Sequence, residues 1–155
     1  MKAIIALLII SISGTIYSQD YDALKKADTI YVLFKGKKNE RKSIAPQPKY
    51  NYDDRWYYFF GLEQTVALFH FKYHSYENKV ANIVSDVKMV DESFIKKNQA
   101  KIITPRFLKR NDLCKVVADI LNHNRIIYII DYTEKKDGKI VLYEVLMTTI
   151  CRGDG

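Results

Sequence analysis

The stretch RIIYIIDYTEKKDGKIVLYEVLMTTI, residues 125–150, contains two apolar runs on either side of Asp137-Gly138. Asp-Gly is a strong signal for a tight hairpin turn, because both residues accept the positive φ angles that the turn requires. Nearly every residue of both arms is apolar, which predicts two central strands covered on both faces. We therefore expect this hairpin to form the centre of a β-sheet.

Three further segments have the composition of strands. The run Thr29 to Phe34 is rich in β-branched and aromatic residues. The aromatic runs Arg55 to Phe60 and Thr65 to His74 are separated only by the four residues 61–64, which predicts an antiparallel hairpin. Within the second run the odd positions are apolar or aromatic, so we expect them to face the core.

The region between the two hairpins has helical signals. Apolar residues at helical spacing predict an amphipathic helix, and they are Val80, Ile83, Val84 and Val87. Asp91 and Thr104-Pro105 are typical helix starts, and Asn111 or Asp112 is expected to cap a helix from Leu113 onward. The predicted fold is an α+β domain with a mostly antiparallel sheet of about five strands and two or three helices packed on one face.

The first eighteen residues have the order of a secretory signal peptide: Lys2, an apolar run and a small residue, Ser18. The apolar run is shorter than the roughly 20 residues that a membrane span needs. We therefore expect an exported protein, periplasmic or extracellular, with residues 1–18 as signal peptide and residues 19–155 as a single domain. No membrane span is expected after removal of the signal.

The charge of the chain favours anionic partners. The net charge is +7, or +6 once Lys2 is removed with the signal peptide. Basic residues cluster from Lys35 to Lys42, at the start of a segment ending at Asp54 that reads as a long irregular loop. The expected partner is an acidic protein or an envelope glycan. The candidate binding residues are Lys37, Lys38, Arg41, Lys42, Tyr50, Tyr52, His70, Lys72 and His74.

The histidines do not form a metal-binding pattern. On a strand, His70 and His74 share a side but lie about 13 Å apart. Bonds of about 2 Å to one zinc ion cannot span that distance. Lys72 lies between them and would repel a cation. We therefore expect a polar strand face, with no metal and no cofactor.

The two cysteines, Cys114 and Cys151, are a candidate disulfide, because an exported protein meets an oxidising compartment. The alternative is a reactive thiol: Cys114 falls in the first turn of its predicted helix, where the helix dipole favours thiolate. A thiol enzyme also needs a histidine beside the thiol. Nothing in the sequence places one there.

No catalytic residue is predicted, because the chain has no G-x-S-x-G elbow, no phosphate-binding glycine loop and no H-E-x-x-H. Its aromatic and basic clusters match no nucleic-acid-binding module. The sequence is best interpreted as a non-enzymatic binding domain, one version of which is an inhibitor or immunity-type protein for an acidic partner. Two alternatives stay open: a small secreted hydrolase or thiol enzyme using Cys114, and a glycan-binding module using Tyr50 and Tyr52.

Overall fold

The computed structural model of the chain describes residues 19–47, 52–60, 67–73, 87–121 and 125–148, with the backbone alone for Gln47, Tyr52 and residues 67–73. The α+β class is confirmed. The helices in these residues are α1 (Tyr21–Lys26), α2 (Glu92–Lys97), α3 (Pro105–Arg110) and α4 (Leu113–Asp119). The strands are β1 (Thr29–Phe34), β2 (Glu40–Gln47), β3 (Tyr52–Phe60), β4 (Ala67–Tyr73), β5 (Lys88–Val90), β6 (Ile102–Ile103), β7 (Ile126–Lys136) and β8 (Lys139–Met147).

The strands join in one mixed sheet. Its order is β2-β3-β4-β8-β7-β1-β6, and β5 pairs with β8 beside this path. β1 runs parallel to both of its neighbours, β6 and β7, while the other pairs are antiparallel. The prediction of a mostly antiparallel sheet was therefore wrong. The reason is that β1 pairs with strands distant in sequence, and a local hairpin pattern carries no signal for such a pairing.

The β7–β8 hairpin lies inside the sheet, as the sequence predicts. Asp137 and Gly138 both have positive φ, 49° and 76°, which is the conformation of a tight hairpin turn whose twist matches that of the strands. Successive residues of β7 pack into two apolar clusters on opposite faces of the sheet. Ile127 and Ile129 belong to one cluster, and Tyr128 and Ile130 belong to the other. Burial on both faces explains why the two strands are almost continuously apolar.

The helices begin at the predicted caps. The carboxylate of Asp91 accepts from the backbone N–H of Phe94 at the start of α2, and the Thr104 hydroxyl accepts from the N–H of Phe107 in α3. Of the two candidate caps for α4, Asp112 is the one used. These bonds satisfy N–H groups that a helix start leaves without an intrahelical partner. The Val80 to Val84 part of the predicted amphipathic helix lies outside the described residues.

Two apolar clusters cover the two faces of the sheet, and helices contribute to both. One cluster, which we call the inner core, contains residues of β1, β3, β7 and β8. The helices add Leu24 of α1, Phe107 of α3 and Val116 of α4 to it. The other cluster, which we call the outer core, consists of Ile102, Tyr128, Ile130, Ile140 and Leu142. Helix α2 packs against it through Phe94 and Ile95. The prediction that the helices pack on one face was wrong, because both faces of the central strands are apolar and both need cover.

The sheet curls strongly, so that β3 lies over β1 although three strands separate them in the sheet order. The ring of Phe34 on β1 lies 5.1 Å from that of Tyr57 and 6.0 Å from that of Phe59, both measured between centroids. Both contacts are edge-to-face, the arrangement that ring quadrupoles favour. Curling therefore encloses the inner core between two parts of one sheet.

The segment expected to be a long irregular loop contains strand β2. Residues Glu40 to Gln47 pair with β3 along their whole length, which corrects the loop prediction. In the described sheet β2 is an edge strand, where charged side chains and Pro46 are tolerated, because one row of backbone groups needs no strand partner. Because β2 is mostly polar, it lacks the alternation of apolar residues by which the other strands were predicted.

Gly36 and Gly138, the glycines within the described residues, both have positive φ and provide a matched test of the close approach between the β1–β2 connection and β7. A Cβ at Gly36 (φ 64°) would lie 2.9 Å from Cγ2 of Thr133, whereas one at Gly138 (φ 76°) would meet nothing within 4 Å. We expect Gly138→Ala to lower the free energy of unfolding by about 1 to 2 kcal/mol through backbone strain alone. Gly36→Ala should cost clearly more, as measured by urea unfolding. Equal costs would show that the contact with Thr133 relaxes freely.

Candidate functional site

A cluster of charged and hydroxyl side chains lies at one end of the inner core, and we call it the inner polar cluster. It joins β2, β3, β7 and β8, and its members are Lys42, Arg55, Tyr57, Asp131, Thr133, Glu134 and Tyr143. Asp131 is fully buried, while the side chains of Lys42 and Arg55 are only 16% and 13% exposed. Two cations and two carboxylates balance one another, so the cluster brings no net charge into the core.

Asp131 has its hydrogen-bonding capacity filled. Its Oδ2 accepts from Lys42 Nζ at 2.8 Å and from the Tyr57 hydroxyl at 3.0 Å. Its Oδ1 accepts from the backbone N–H and the hydroxyl of Thr133, at 2.8 and 2.6 Å. A buried carboxylate is stable only when paired and hydrogen-bonded in this way, because desolvation of an isolated charge costs several kcal/mol.

Lys42 connects the two carboxylates. Its ammonium donates to Asp131, to the Thr133 hydroxyl at 2.8 Å and to Glu134 Oε1 at 2.6 Å, so all three N–H donors are used. Glu134 also accepts from Arg55 Nη1 at 2.5 Å and from the hydroxyl of Tyr143. The guanidinium of Arg55 lies 4.6 Å from the Tyr143 ring centroid, within cation–π range.

An irregularity in β7 brings both carboxylates to the same side. In a regular strand, residues 131 and 134 would point to opposite faces. The pairing with β8 shifts register between Asp131 and Lys136, which puts extra residues on β7 and turns Glu134 toward Lys42.

The surroundings of the cluster shift the pKa values of three of its members. Burial raises the pKa of Glu134, but hydrogen bonds from Lys42, Tyr143 and Arg55 outweigh burial and hold that pKa below its usual value. Burial, reinforced by Asp131, raises the pKa of Tyr57, and burial with the Glu134 hydrogen bond raises that of Tyr143. These shifts favour an ionised Glu134 and neutral Tyr57 and Tyr143 side chains at neutral pH.

Three of the predicted binding residues lie on the surface. Lys37, Lys38 and Arg41 are exposed, and within the described residues none of them forms an ion pair. Lys42 does not belong with them. Its ammonium is held in the inner polar cluster, because neighbouring residues of a strand point to opposite faces.

The remaining predicted residues are placed only in part. Tyr52 opens β3, and the register pairs His70 with Tyr58 and Lys72 with Trp56, but their side chains are outside the description. Tyr50 and His74 lie outside the described residues altogether. The described part of the chain contains no group of residues suited to hold a metal ion. Because it includes none of the histidine side chains, the expectation for His70 and His74 stays a prediction.

Cys114 is the second residue of α4. Among the described residues no cysteine is a free thiol. Cys151 lies outside those residues, so the pairing of Cys114 with Cys151 stays a prediction.

A small apolar depression lies beside the exposed cations. It is lined by Asn39, Phe59, Phe60, Pro105, Leu108, Lys109 and Leu113, and thus lies where the end of β3 meets α3 and α4. Lys37 and Lys38 directly precede Asn39, and the guanidinium of Arg41 lies 5.5 Å from the Phe60 ring centroid. We call Lys37, Lys38, Arg41 and Lys109 the basic rim of this depression.

Sequence reasoning missed Asp131, Glu134 and Lys109. Asp131 did have a signal, because a single acidic residue inside the run IIYIIDY indicates a buried charge that must have a partner. Glu134 depends on the β7 irregularity and Lys109 on the packing of α3 beside β3, and neither follows from local pattern.

The chain matches no protein-family model, and comparisons with curated proteins and with solved structures give no match. None of the helices described is long and apolar enough to cross a membrane.

The first test of the cluster removes its central cation. Lys42→Met should lower the free energy of unfolding by roughly 3 kcal/mol, because it leaves the buried Asp131 without its counter-charge. Lys38→Met is the matched control, since Lys38 is exposed and should change stability by less than about 0.5 kcal/mol. Urea unfolding at neutral pH measures both. Similar costs for the two variants would contradict the structural role of Lys42.

The second test uses pH. A carboxyl whose pKa is lowered by folding stabilises the fold fully above its unfolded value, 4.5 for Glu134, and that stabilisation is lost as the pH falls through the folded value. Wild type should therefore exceed Glu134→Gln in stability at neutral pH, and the difference should shrink below about pH 4.5. Urea unfolding across this range measures the difference. A gap independent of pH would show that Glu134 acts through packing and not through its charge.

Proposed function

We propose that the protein is an exported, non-enzymatic binding domain whose partner is an acidic macromolecule and whose contact surface is the basic rim. The observation that carries the proposal is the contrast between two sets of cations. Lys42 and Arg55 are held by internal carboxylates, whereas Lys37, Lys38 and Arg41 are exposed with no ion pair in the described residues. Cations clustered without counter-charges attract and orient an anionic partner.

The inner polar cluster supports a binding role over an enzymatic one. Most of its hydrogen bonds join its own members, so it serves to hold β2 and β3 against β7 and β8. This keeps Arg41 at a fixed place beside the depression, because Arg41 is the neighbour of Lys42 on the same strand. A rigid scaffold that presents side chains from an edge strand and a connection is a common arrangement for recognition.

The remaining parts of the proposal rest on the sequence. The pattern of residues 1–18 supports export. Export would give the oxidising conditions in which Cys114 and Cys151 pair, and this disulfide would tether α4, which lines the depression, to the C-terminal segment.

Charge reversal tests the basic rim. The full-length protein with a C-terminal tag is used as bait on the envelope and medium of its own cells, and co-purifying proteins are identified by mass spectrometry at low and high salt. We expect an acidic protein that is released at high salt. It should be lost from the triple variant Lys37→Glu, Lys38→Glu, Arg41→Glu.

The control carries the same change of charge elsewhere. Lys96→Glu, Lys97→Glu and Lys101→Glu reverse three exposed cations at α2 and just after it. This variant should retain the partner. Equal loss from both variants would show that only the net charge matters, and capture of no acidic partner at either salt would overturn the proposal.

A further inference from the structure

The depression inside the basic rim has a wall of apolar side chains from three elements. Phe59 and Phe60 come from the end of β3, where the pairing with β4 changes register. Pro105 and Leu108 come from α3, and Leu113 is the first residue of α4. Because different elements build the wall, its shape is fixed by the fold and not by one loop.

The size of the depression restricts what it can hold. Its cavity volume is about 30 Å³, far below the roughly 300 Å³ at which pockets for cofactors and small molecules begin. A sugar ring, a nucleobase or a fatty acyl chain would not be enclosed. The end of a single aliphatic side chain is of suitable size, and the apolar wall would remove it from water.

The rim restricts the chemistry of the segment that carries such a side chain. Lys109 lines the depression, Arg41 lies beside Phe60, and Lys37 and Lys38 adjoin Asn39. None of these cations has an ion pair in the part of the chain that the structure describes. A basic segment would be repelled, whereas carboxylates on both sides of an apolar residue would meet Lys109 at the depression and Arg41 beside Phe60.

We infer that the depression receives one aliphatic side chain from an acidic segment of a partner protein, with the basic rim contacting the carboxylates that flank it. This inference rests on the proposed function and adds the identity of the anchor. Burial of an apolar anchor supplies affinity that the cations alone do not, since exposed ion pairs contribute little each.

A pair of synthetic peptides tests the inference. Both are short and capped, with acidic residues on either side of a central leucine in one and a central serine in the other. Titrated into ¹⁵N-labelled protein, the leucine peptide should shift the amide resonances of Asn39, Phe60, Lys109 and Leu113. It should bind at least about tenfold more tightly than the serine peptide, as expected for burying the end of a leucine side chain.

A variant fills the depression without changing charge. Leu113→Trp should reduce the affinity for the leucine peptide to that for the serine peptide. Met89→Trp, at a residue 50% exposed on β5, should leave it unchanged. Circular dichroism melting shows whether each variant is folded, and the comparison of the two peptides on wild type needs no variant.

The outcomes separate the two proposals. Equal binding of both peptides at the rim would overturn the apolar anchor and leave the acidic partner in place. Binding of neither peptide would overturn both. Tighter binding of the leucine peptide with shifts confined to another surface would overturn the assignment to this depression.

Discussion

The buried carboxylate of Asp131 is the constraint on which the arrangement of the sheet depends. It follows the apolar run Ile126 to Ile130 in the central strand β7 and has no exposure to solvent, and a charge there must be matched by a cation and by hydrogen bonds. Thr133 supplies two of the bonds locally, but the cation comes from Lys42 on β2 and a further donor from Tyr57 on β3. To bring them there, the sheet must curl until β2 and β3 lie over β7, and that curl encloses the inner core.

The parts of the fold that could be predicted are those determined by residues close together in the sequence. Asp137-Gly138 defines its turn whatever the rest of the chain does, and Asp91, Thr104 and Asp112 cap helices through bonds to residues three positions away. The parallel pairing of β1 with β7 joins Thr29 to Ile126. No local pattern encodes that partnership, which depends on the order in which buried strands stack.

The candidate site could be predicted only as a composition and not as a geometry. The run from Lys35 to Lys42 indicated a basic surface, and Lys37, Lys38 and Arg41 are on the surface. Lys42, the last residue of the run, was predicted to lie on the binding surface but is held in the inner polar cluster. The prediction was wrong because the run was interpreted as a loop, in which every cation is exposed. Once the run is known to contain a strand, alternation alone requires that Arg41 and Lys42 face opposite ways, and the acid inside β7 identifies the partner of the one that faces in.

The same alternation links the internal ion pair to the position of the proposed binding surface. Lys42 holds β2 against β7 by bonds to the carboxylates of Asp131 and Glu134. Because β2 is held in this way, the side chain of Arg41, on its opposite face, has a fixed position beside Phe60. An edge strand with Pro46 and many polar residues has little apolar packing of its own to hold it. The buried ion pair therefore supplies register and position rather than net stability, since an apolar replacement of the whole cluster could stabilise the core equally well. On this argument the internal charges serve to fix the position of the exposed cation Arg41.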